Sequence, residues 1–438
     1  MACDGWPTLL LRESGVSLLD CEHRTPPASD GGYPYIAIPQ IKQGRLDLAE
    51  VRRITPEHYV DWTRKAKPQP YDVILSRRCN PGETAFVPPG LECALGQNLV
   101  LLRADGTKVF PPFLRWLVRG PEWWEQIGNF INVGAVFDSL KCADIPNFRL
   151  TIPPLPQQRA TARILGTLDD KIELNRRMNE TLEAIARAIF KSWFVDFDPV
   201  RAKMAGRKPE GMDAATAKLF PDGFEDSELG PIPRGWRVGQ VRDTCEKIEN
   251  GGTPSRHVEA YWEPPEVPWL TSGEVRDRFV VRTENFISNR GLQNSSAKKW
   301  PRFTSVVALY GATAGYATLL GAELCANQAC CALVPLLEAT SFNFLLVSSS
   351  LGHFQQQTRG SAQQNLSQSI VADLPTVVPP KSVLGAFDRR VRELLSRCLQ
   401  NLHESFTLAA LRDALLPKLL SGKLRVPDAE RIAGRCLR

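Results

Sequence analysis

The chain has 438 residues, 43% of them hydrophobic, enough for two to four domains with real cores. Its 54 Lys and Arg against 48 Asp and Glu leave a charge of +6, which argues against wholesale disorder and favours an anionic partner over a cationic one. No apolar run approaches membrane-spanning length, Met1 to Glu13 is too short and charged for a secretory signal, and eleven cysteines without a Cys-x-x-Cys spacing read as reduced thiols of a cytoplasmic protein.

In chain order, residues 1–150 form a mixed α+β segment in which short β-rich runs such as Tyr71 to Leu75 alternate with turns. Near its end Phe113, Trp116, Leu117, Trp123, Trp124, Ile127 and Phe130 predict one amphipathic helix packed on the core. Residues 151–198 hold a long helical pattern from Gln157 to Phe194. Its stripe runs through Leu165, Leu168, Ile172, Leu182, Ile185, Ile189 and Trp193, interrupted by the polar stretch Asn175 to Asn179. Residues 199–232, rich in Pro, Gly and charge, read as a linker with little core. A second α+β segment, 233–378, has β-rich runs at Ser305 to Tyr310 and Cys330 to Val334. In 379–424 a second long helix, Val383 to Leu420, carries Val391, Leu394, Cys398, Leu402, Leu408, Leu411, Leu415 and Leu419 on one stripe, with Gly422 as its cap. Residues 425–438 read as a tail.

The two halves repeat one another. Gly5-Trp6 recurs as Gly235-Trp236, Thr25-Pro26 as Thr253-Pro254, Asp144-Ile145-Pro146 as Asp373-Leu374-Pro375, Pro153-Pro154 as Pro379-Pro380 and Thr181-Leu182 as Thr407-Leu408. The offset stays between 226 and 230, and collinear matches at one spacing mark a duplication. Two heptad-like stripes in equivalent places predict a coiled-coil seam through which the two helices can pair.

Catalytic signatures are missing. Ser421-Gly422-Lys423-Leu424 lacks the upstream glycine and the following hydroxyl of a phosphate loop. The five histidines, His23, His58, His257, His353 and His403, are scattered away from zinc-ligand spacing. Gly311 and Gly315 lack the third glycine of a dinucleotide loop, and Glu263-Pro264-Pro265-Glu266 is not the loop of a base methyltransferase. No catalytic centre and no metal site is expected.

The string Gln157-Gln158-Arg159, Leu168 to Asn175, Thr181 to Ala184 and Phe190 to Val200 closely resembles the central region of type I restriction-modification specificity subunits. Leu219 to Asp222, Gly251 to Ser255, Tyr310 to Gly315 and Asn327 to Ala329 continue the match. The resemblance is weakest over Tyr33 to Pro112. It implies two target-recognition domains separated by two conserved helices in an antiparallel coiled coil, a pseudo-twofold repeat. Each domain would read one half of a bipartite, asymmetric double-stranded DNA target. Methyltransferase subunits carrying S-adenosylmethionine would dock on the helices, and ATP- and magnesium-dependent restriction subunits would join outside them. This chain would be a non-catalytic recognition subunit that binds no cofactor itself and no membrane.

DNA contact calls for cations. In the first domain the candidates are Lys42, Arg45, Arg52, Arg53, Arg64, Lys65, Lys67, Arg77 and Arg78. In the second they are Ser255, Arg256, His257, Arg276, Arg278, Arg282, Lys298, Lys299, Arg302, Arg359, Gln363 and Gln364, since Arg can pair with guanine and Gln with adenine. Thr25-Pro26 and Thr253-Pro254 start equivalent loops, with a turn role or a DNA role open to both. Phe190, Trp193, Phe194, Leu415, Leu416 and Leu419 are candidates for the partner surface, although a coiled-coil seam explains them equally. The competing reading is a coiled-coil scaffold whose paired domains bind peptides or glycans; an unrecognised nuclease centre is a further alternative.

Overall fold

The computed structural model describes residues 5–134, 138–358 and 365–437. They fall into two compact units, Met1–Ile172 with Thr407–Arg438, and Glu173–Phe406. Candidates Arg359, Gln363 and Gln364 lie outside the described residues.

The first unit contains β1 (Thr8–Leu10), β2 (Val16–Asp20), β3 (Tyr33–Ile36), a hairpin of β4 (Ile41–Lys42) and β5 (Arg45–Leu46), then β6 (Arg53–Ile54), β7 (Val73–Ser76), β8 (Thr84–Phe86), β9 (Ala94–Leu95), β10 (Leu99–Ala104) and β11 (Arg149–Thr151). Its main sheet is antiparallel in the order β2-β10-β7-β8, while β3 sits between antiparallel β6 and parallel β9. Strands β7 and β10 are apolar at consecutive positions because both of their faces are covered. Leu75, Val100 and Leu102 enter one core, and their neighbours Ile74, Leu99 and Leu101 enter another.

The second unit repeats this plan with β12 (Phe224–Glu225), β13 (Ile232–Pro233), β14 (Arg237–Gln240), β15 (Cys245–Asn250), β16 (Val267–Leu270), β17 (Phe279–Val280), β18 (Asn285–Ile287), β19 (Lys299–Trp300), β20 (Ser305–Ala308), β21 (Ala317–Leu320), β22 (Leu324–Ala326), β23 (Cys330–Pro335) and β24 (Pro375–Val378). The order β15-β23-β20-β21 matches β2-β10-β7-β8, with β17 added at the edge. The set β18-β16-β22 matches β6-β3-β9, with β19 added, and β14·β24 matches β1·β11. Even the parallel pair keeps its register, so that Tyr35 opposite Ala94 corresponds to Trp269 opposite Cys325. The duplication is therefore one of fold as well as of sequence.

Two 40-residue helices, Leu155–Phe194 and Lys381–Leu420, each contribute to both units. In the first unit Leu165 and Leu168 share a core with Leu408, Leu415, Leu416 and Leu419. In the second, Asn175 faces Asn401 and Glu404, Asn179 faces Cys398, and Phe190 faces Phe387, the descending order of an antiparallel pair. The polar stretch forms a ladder inside the seam. Asn175 Nδ2 donates to Glu404 Oε2 at 2.8 Å, Asn401 Nδ2 to Asn179 Oδ1 at 2.8 Å, and Asn179 Nδ2 to the Cys398 carbonyl at 3.0 Å. Such ladders satisfy only one register, which suits a seam that must not slip. Gly422 closes the second helix with φ 65°, a left-handed cap that glycine adopts without strain.

Four expectations need correction. The predicted single helix of Phe113 to Phe130 is two, Pro111–Leu117 and Pro121–Phe130, because Gly120-Pro121 breaks the first and starts the second. The supposed linker carries core: Val200, Met212 and Phe220 are buried with Phe197 and Trp236, which flank it, against the second unit's helices. The supposed tail contains a helix, Val426–Cys436, which buries Ala429 and Ala433 in the first unit's core. Ile185 lies off the seam and is 43% exposed; Ala186 is the buried residue at that level.

Candidate nucleic-acid interface

A loop follows the first strand of each main sheet, after β2 and after β15, and both loops are held by the same means. In the first unit the Tyr35 hydroxyl donates to the Arg24 carbonyl at 3.1 Å, and Gln97 Nε2 donates to Thr25 Oγ1 at 3.3 Å. In the second unit the corresponding aromatic, Trp269, donates through Nε1 to the Gly252 carbonyl at 3.0 Å, and the Thr253 hydroxyl bonds Gln328 Oε1. Pro26 and Pro254 are buried, while Gln97 and Gln328 are exposed. Gly251 and Gly252 are required here, since a Cβ on Gly251 would lie 2.3 Å from the Ala326 carbonyl oxygen and one on Gly252 2.3 Å from the Ser296 carbonyl carbon. The Thr-Pro repeat thus marks a clasped loop.

Cations gather around both loops. In the first unit Arg52 Nη1 donates to the Pro26 carbonyl at 2.9 Å and Arg53 Nη1 to the Gly32 carbonyl at 2.8 Å. Arg24 Nε and Lys65 Nζ lie 3.2 and 3.5 Å from the two oxygens of Glu22. The Arg24 hydrogen bond, helped by Lys65, holds the Glu22 carboxyl below the usual range. Arg64 pairs with Asp61 at 2.7 Å, and Lys67 sits 5.7 Å from the Tyr59 ring, itself stacked on Tyr33 at 3.9 Å. In the second unit Ser255, Arg256 and His257 are exposed on the loop. Lys298 pairs with Glu249 at 2.9 Å, near the end of β15 from which the loop leaves.

Other candidates point elsewhere. Arg45 and Arg278 bind the first long helix, Arg45 through Asp169 and Arg278 through Glu183 at 3.3 Å. Arg282 lies 3.7 Å over the Phe406 ring of the second long helix, and Arg302 4.6 Å over Phe303. Lys42 pairs with Asp47, Lys299 with Glu323, and Arg77 Nη1 donates to the Leu140 carbonyl at 3.4 Å. Arg78 and Arg276 are exposed and make no ion pair among the described residues. The nine cations of the first domain are therefore not one surface: Arg52, Arg53, Arg64 and Lys65 surround the loop or its supporting helix, and Arg45 anchors the domain. Arg24, which sequence reasoning missed, is 68% exposed and stacks 5.0 Å from the Trp62 ring.

The anchor has unusual electrostatics. Asp169, 2% exposed, receives Arg412 at 2.6 Å, Arg45 at 3.5 Å and Arg115 at 3.6 Å. Burial opposes its ionisation, but Arg45, Arg412 and Arg115 outweigh burial and hold the carboxyl below its ordinary value. Burial pushes Arg115 down to about 10 despite that carboxylate. In the second unit Glu183 is pushed up by burial more strongly than Arg278 and Arg187 pull it down.

The six residues expected at a partner surface are interior. Phe190, Trp193 and Phe194 pack with Phe342, Phe387 and Phe220 at centroid distances of 4.8–6.2 Å, and Leu415, Leu416 and Leu419 fill the first unit's core. The outward apolar residues of the first long helix are instead Leu174 and Ile185, 52% and 43% exposed, on a stripe with Met178, Thr181 and Ala188. Among the described residues Asp20, Cys21 and His23 could in principle ligate a metal, but the Cys21 thiol donates to the Gly96 and Leu99 carbonyls, and burial pushes it up to about 11. None of the ten described cysteines is bridged, and no described helix is long and apolar enough to cross a membrane.

Comparison with known proteins places the whole repeat in a family. A family model described as the type I restriction modification DNA specificity domain matches residues 23–184 and again 233–398. The type I restriction enzyme HindI specificity subunit of Haemophilus influenzae is 28% identical over 401 residues, covering 81% of this chain and 86% of its own. The MjaIX specificity subunit of Methanocaldococcus jannaschii is 26% identical over 361 residues, 81% of this chain and 78% of its own. The crystal structure of a type I restriction-modification S subunit from M. genitalium superposes with a TM-score of 0.56 at 14% identity, over 95% of this chain and 96% of that one, a likeness of fold.

Proposed function

From the premise that this chain belongs to the type I restriction modification DNA specificity family, both of its repeats included, we propose that it reads a split, asymmetric double-stranded DNA target, one half per recognition domain. It is a specificity subunit rather than an enzyme. The observation that carries the proposal is the clasped loop: both domains hold it through Thr and Gln, yet they surround it with different exposed side chains. Arg24, Arg52, Arg53 and Lys65 flank one loop; Arg256, His257 and Lys298 flank the other. A common frame with different fillings suits two half-sites of different sequence. Arg and Lys around the loops supply phosphate contacts, and a smaller number of side chains reach base edges.

Methyltransferase subunits then dock on the helices, bringing S-adenosylmethionine, and ATP- and magnesium-dependent restriction subunits join them. The stripe of Leu174, Met178 and Ile185 is the docking face this reading favours, because it is apolar and outward, unlike Trp193 or Leu419. DNA binding of this kind releases counterions. Affinity of the full chain for duplex DNA should fall by about 10³-fold or more between 50 and 200 mM salt if six or more phosphates are contacted. Anisotropy titrations across that range test it, and salt-independent or undetectable binding overturns it.

A further inference from the structure

Resting on the DNA-reading proposal, we infer that Arg24 and Arg256 are the specificity-determining arginines of the two domains, each reading a guanine in its own half-site. Both belong to the clasped loops, Arg24 directly before Thr25 and Arg256 three residues after Thr253. Each guanidinium lies over an indole face: Arg24 5.0 Å from Trp62, Arg256 4.7 Å from Trp262 and 6.0 Å from Trp269. The two indoles come from unrelated places in the fold, Trp62 from the helix Pro56–Trp62 and Trp262 from the turn after Glu259–Tyr261. Both tie themselves to the loop they support. Trp62 Nε1 donates to the Arg24 carbonyl at 2.8 Å, and Trp262 Nε1 to the Ser255 carbonyl at 3.1 Å. Two independent constructions thus reach the same result, a guanidinium over an indole that is itself bonded to the loop.

Chemistry selects the ligand. A stacked guanidinium is held in one plane and loses little freedom when it forms two parallel hydrogen bonds, the geometry that guanine O6 and N7 demand in the major groove. Arg24 leaves its two terminal nitrogens for that purpose, since its one side-chain bond among the described residues is Nε to Glu22. Arg256 makes no ion pair among the described residues. Arg52 and Arg53, by contrast, donate to loop carbonyls and hold the loop's shape. A phosphate-binding cation needs neither the stacking nor the planar restraint.

The test is selection of bound duplexes from a randomised DNA pool by the full chain, by Arg24→Lys and by Arg256→Lys, followed by sequencing. Lysine keeps the charge, and so the phosphate attraction, but cannot make the bidentate contact. The wild-type chain should select a motif with a guanine in each half. Arg256→Lys should lose roughly ten- to a hundredfold of its preference for that guanine in one half while the other half stays unchanged, and Arg24→Lys should do the reverse. Circular dichroism and the retained half-site verify folding; should a lysine variant fail to fold, Arg24→Gln or Arg256→Gln replaces it, with the same half-specific loss expected. Variants that select the wild-type motif in both halves, or a wild-type motif lacking guanine in either half, overturn the inference while leaving DNA reading intact. A wild-type chain that selects no motif overturns the DNA-reading proposal and the inference with it.

Discussion

The two recognition domains share one strand order, and apolar cores join both to the long helices, yet the side chains that distinguish the two joints differ in kind. In the first unit the joint is a buried carboxylate, Asp169, surrounded by Arg412, Arg45 and Arg115, which come from the second helix, the sheet hairpin and the helix Pro111–Leu117. In the second unit the distinguishing feature is a ring cluster of Phe190, Trp193, Phe194, Phe342 and Phe387, extended by Phe220 from the segment that first reads as a linker and by Trp236 just after it. Duplication preserved the frame and the loop clasp, while the joint was rebuilt. What the two copies keep is the strand order and the Thr–Gln clasp of the loop, and what they change is local packing and the exposed side chains around that loop.

Substitutions at the joints probe this contrast, and the largest effect is expected in the ring cluster. Phe194→Ala removes a ring that packs on Trp236, Phe342 and Phe387 and should cost about 4 kcal/mol in the second unit, read by denaturant unfolding. A loss below about 1 kcal/mol would mean that the rings are dispensable to the joint. Asp169→Asn leaves Arg412, Arg45 and Arg115 facing one another without a counter-charge and should cost about 3 kcal/mol. Because the folded Asp169 carboxyl titrates below its unfolded value of about 3.9, its contribution is fully present above that pH and disappears as pH falls through the folded value. The difference between wild type and Asp169→Asn should therefore be the same at pH 7 and pH 5 and shrink progressively as pH falls below about 4.

Smaller effects sharpen the comparison along the seam. Asn401→Ala removes a donor to Asn179 and should cost about 1 kcal/mol, with the greater consequence that cross-links along the two helices become heterogeneous in register. Glu183→Gln is the opposite case. Its folded carboxyl titrates above the unfolded value, so its contribution is best at low pH and declines as pH rises from the unfolded toward the folded value. The glutamine variant should be equal to or up to about 1 kcal/mol more stable than wild type at pH 7, and lose that advantage at pH 4, in paired thermal melts.

Much of this molecule was legible in its sequence, for reasons that differ by region. The long helices and the repeat came from periodicity and spacing, signals that survive when individual residues change; Leu165, Leu168, Leu415 and Leu419 are indeed in the seam. The β-runs were readable because β7 and β23 are apolar at successive positions. The linker's core is not legible because Val200, Met212 and Phe220 are sparse among charges, and only Trp193, Phe194, Phe197 and Trp236 brought near them make a core. The helix of Phe113 to Phe130 was misread because its stripe continues in phase across Gly120-Pro121. The partner-surface candidates are large apolar residues at the helix ends, which burial claims first, whereas Leu174 adjoins the polar stretch and Ile185 shares the spacing of the seam stripe. Arg24 had no signal at all, since only the fold brings Trp62 to a residue 38 positions earlier.

The central claim is that each domain reads its own half of one split target. Its most direct test is to co-express the chain with its methyltransferase partner and map modified bases across the host genome by single-molecule sequencing. Bipartite reading predicts one asymmetric motif in two parts with an unread spacer between them. A stable complex that modifies a continuous or palindromic site, or that modifies DNA without sequence preference, would contradict it.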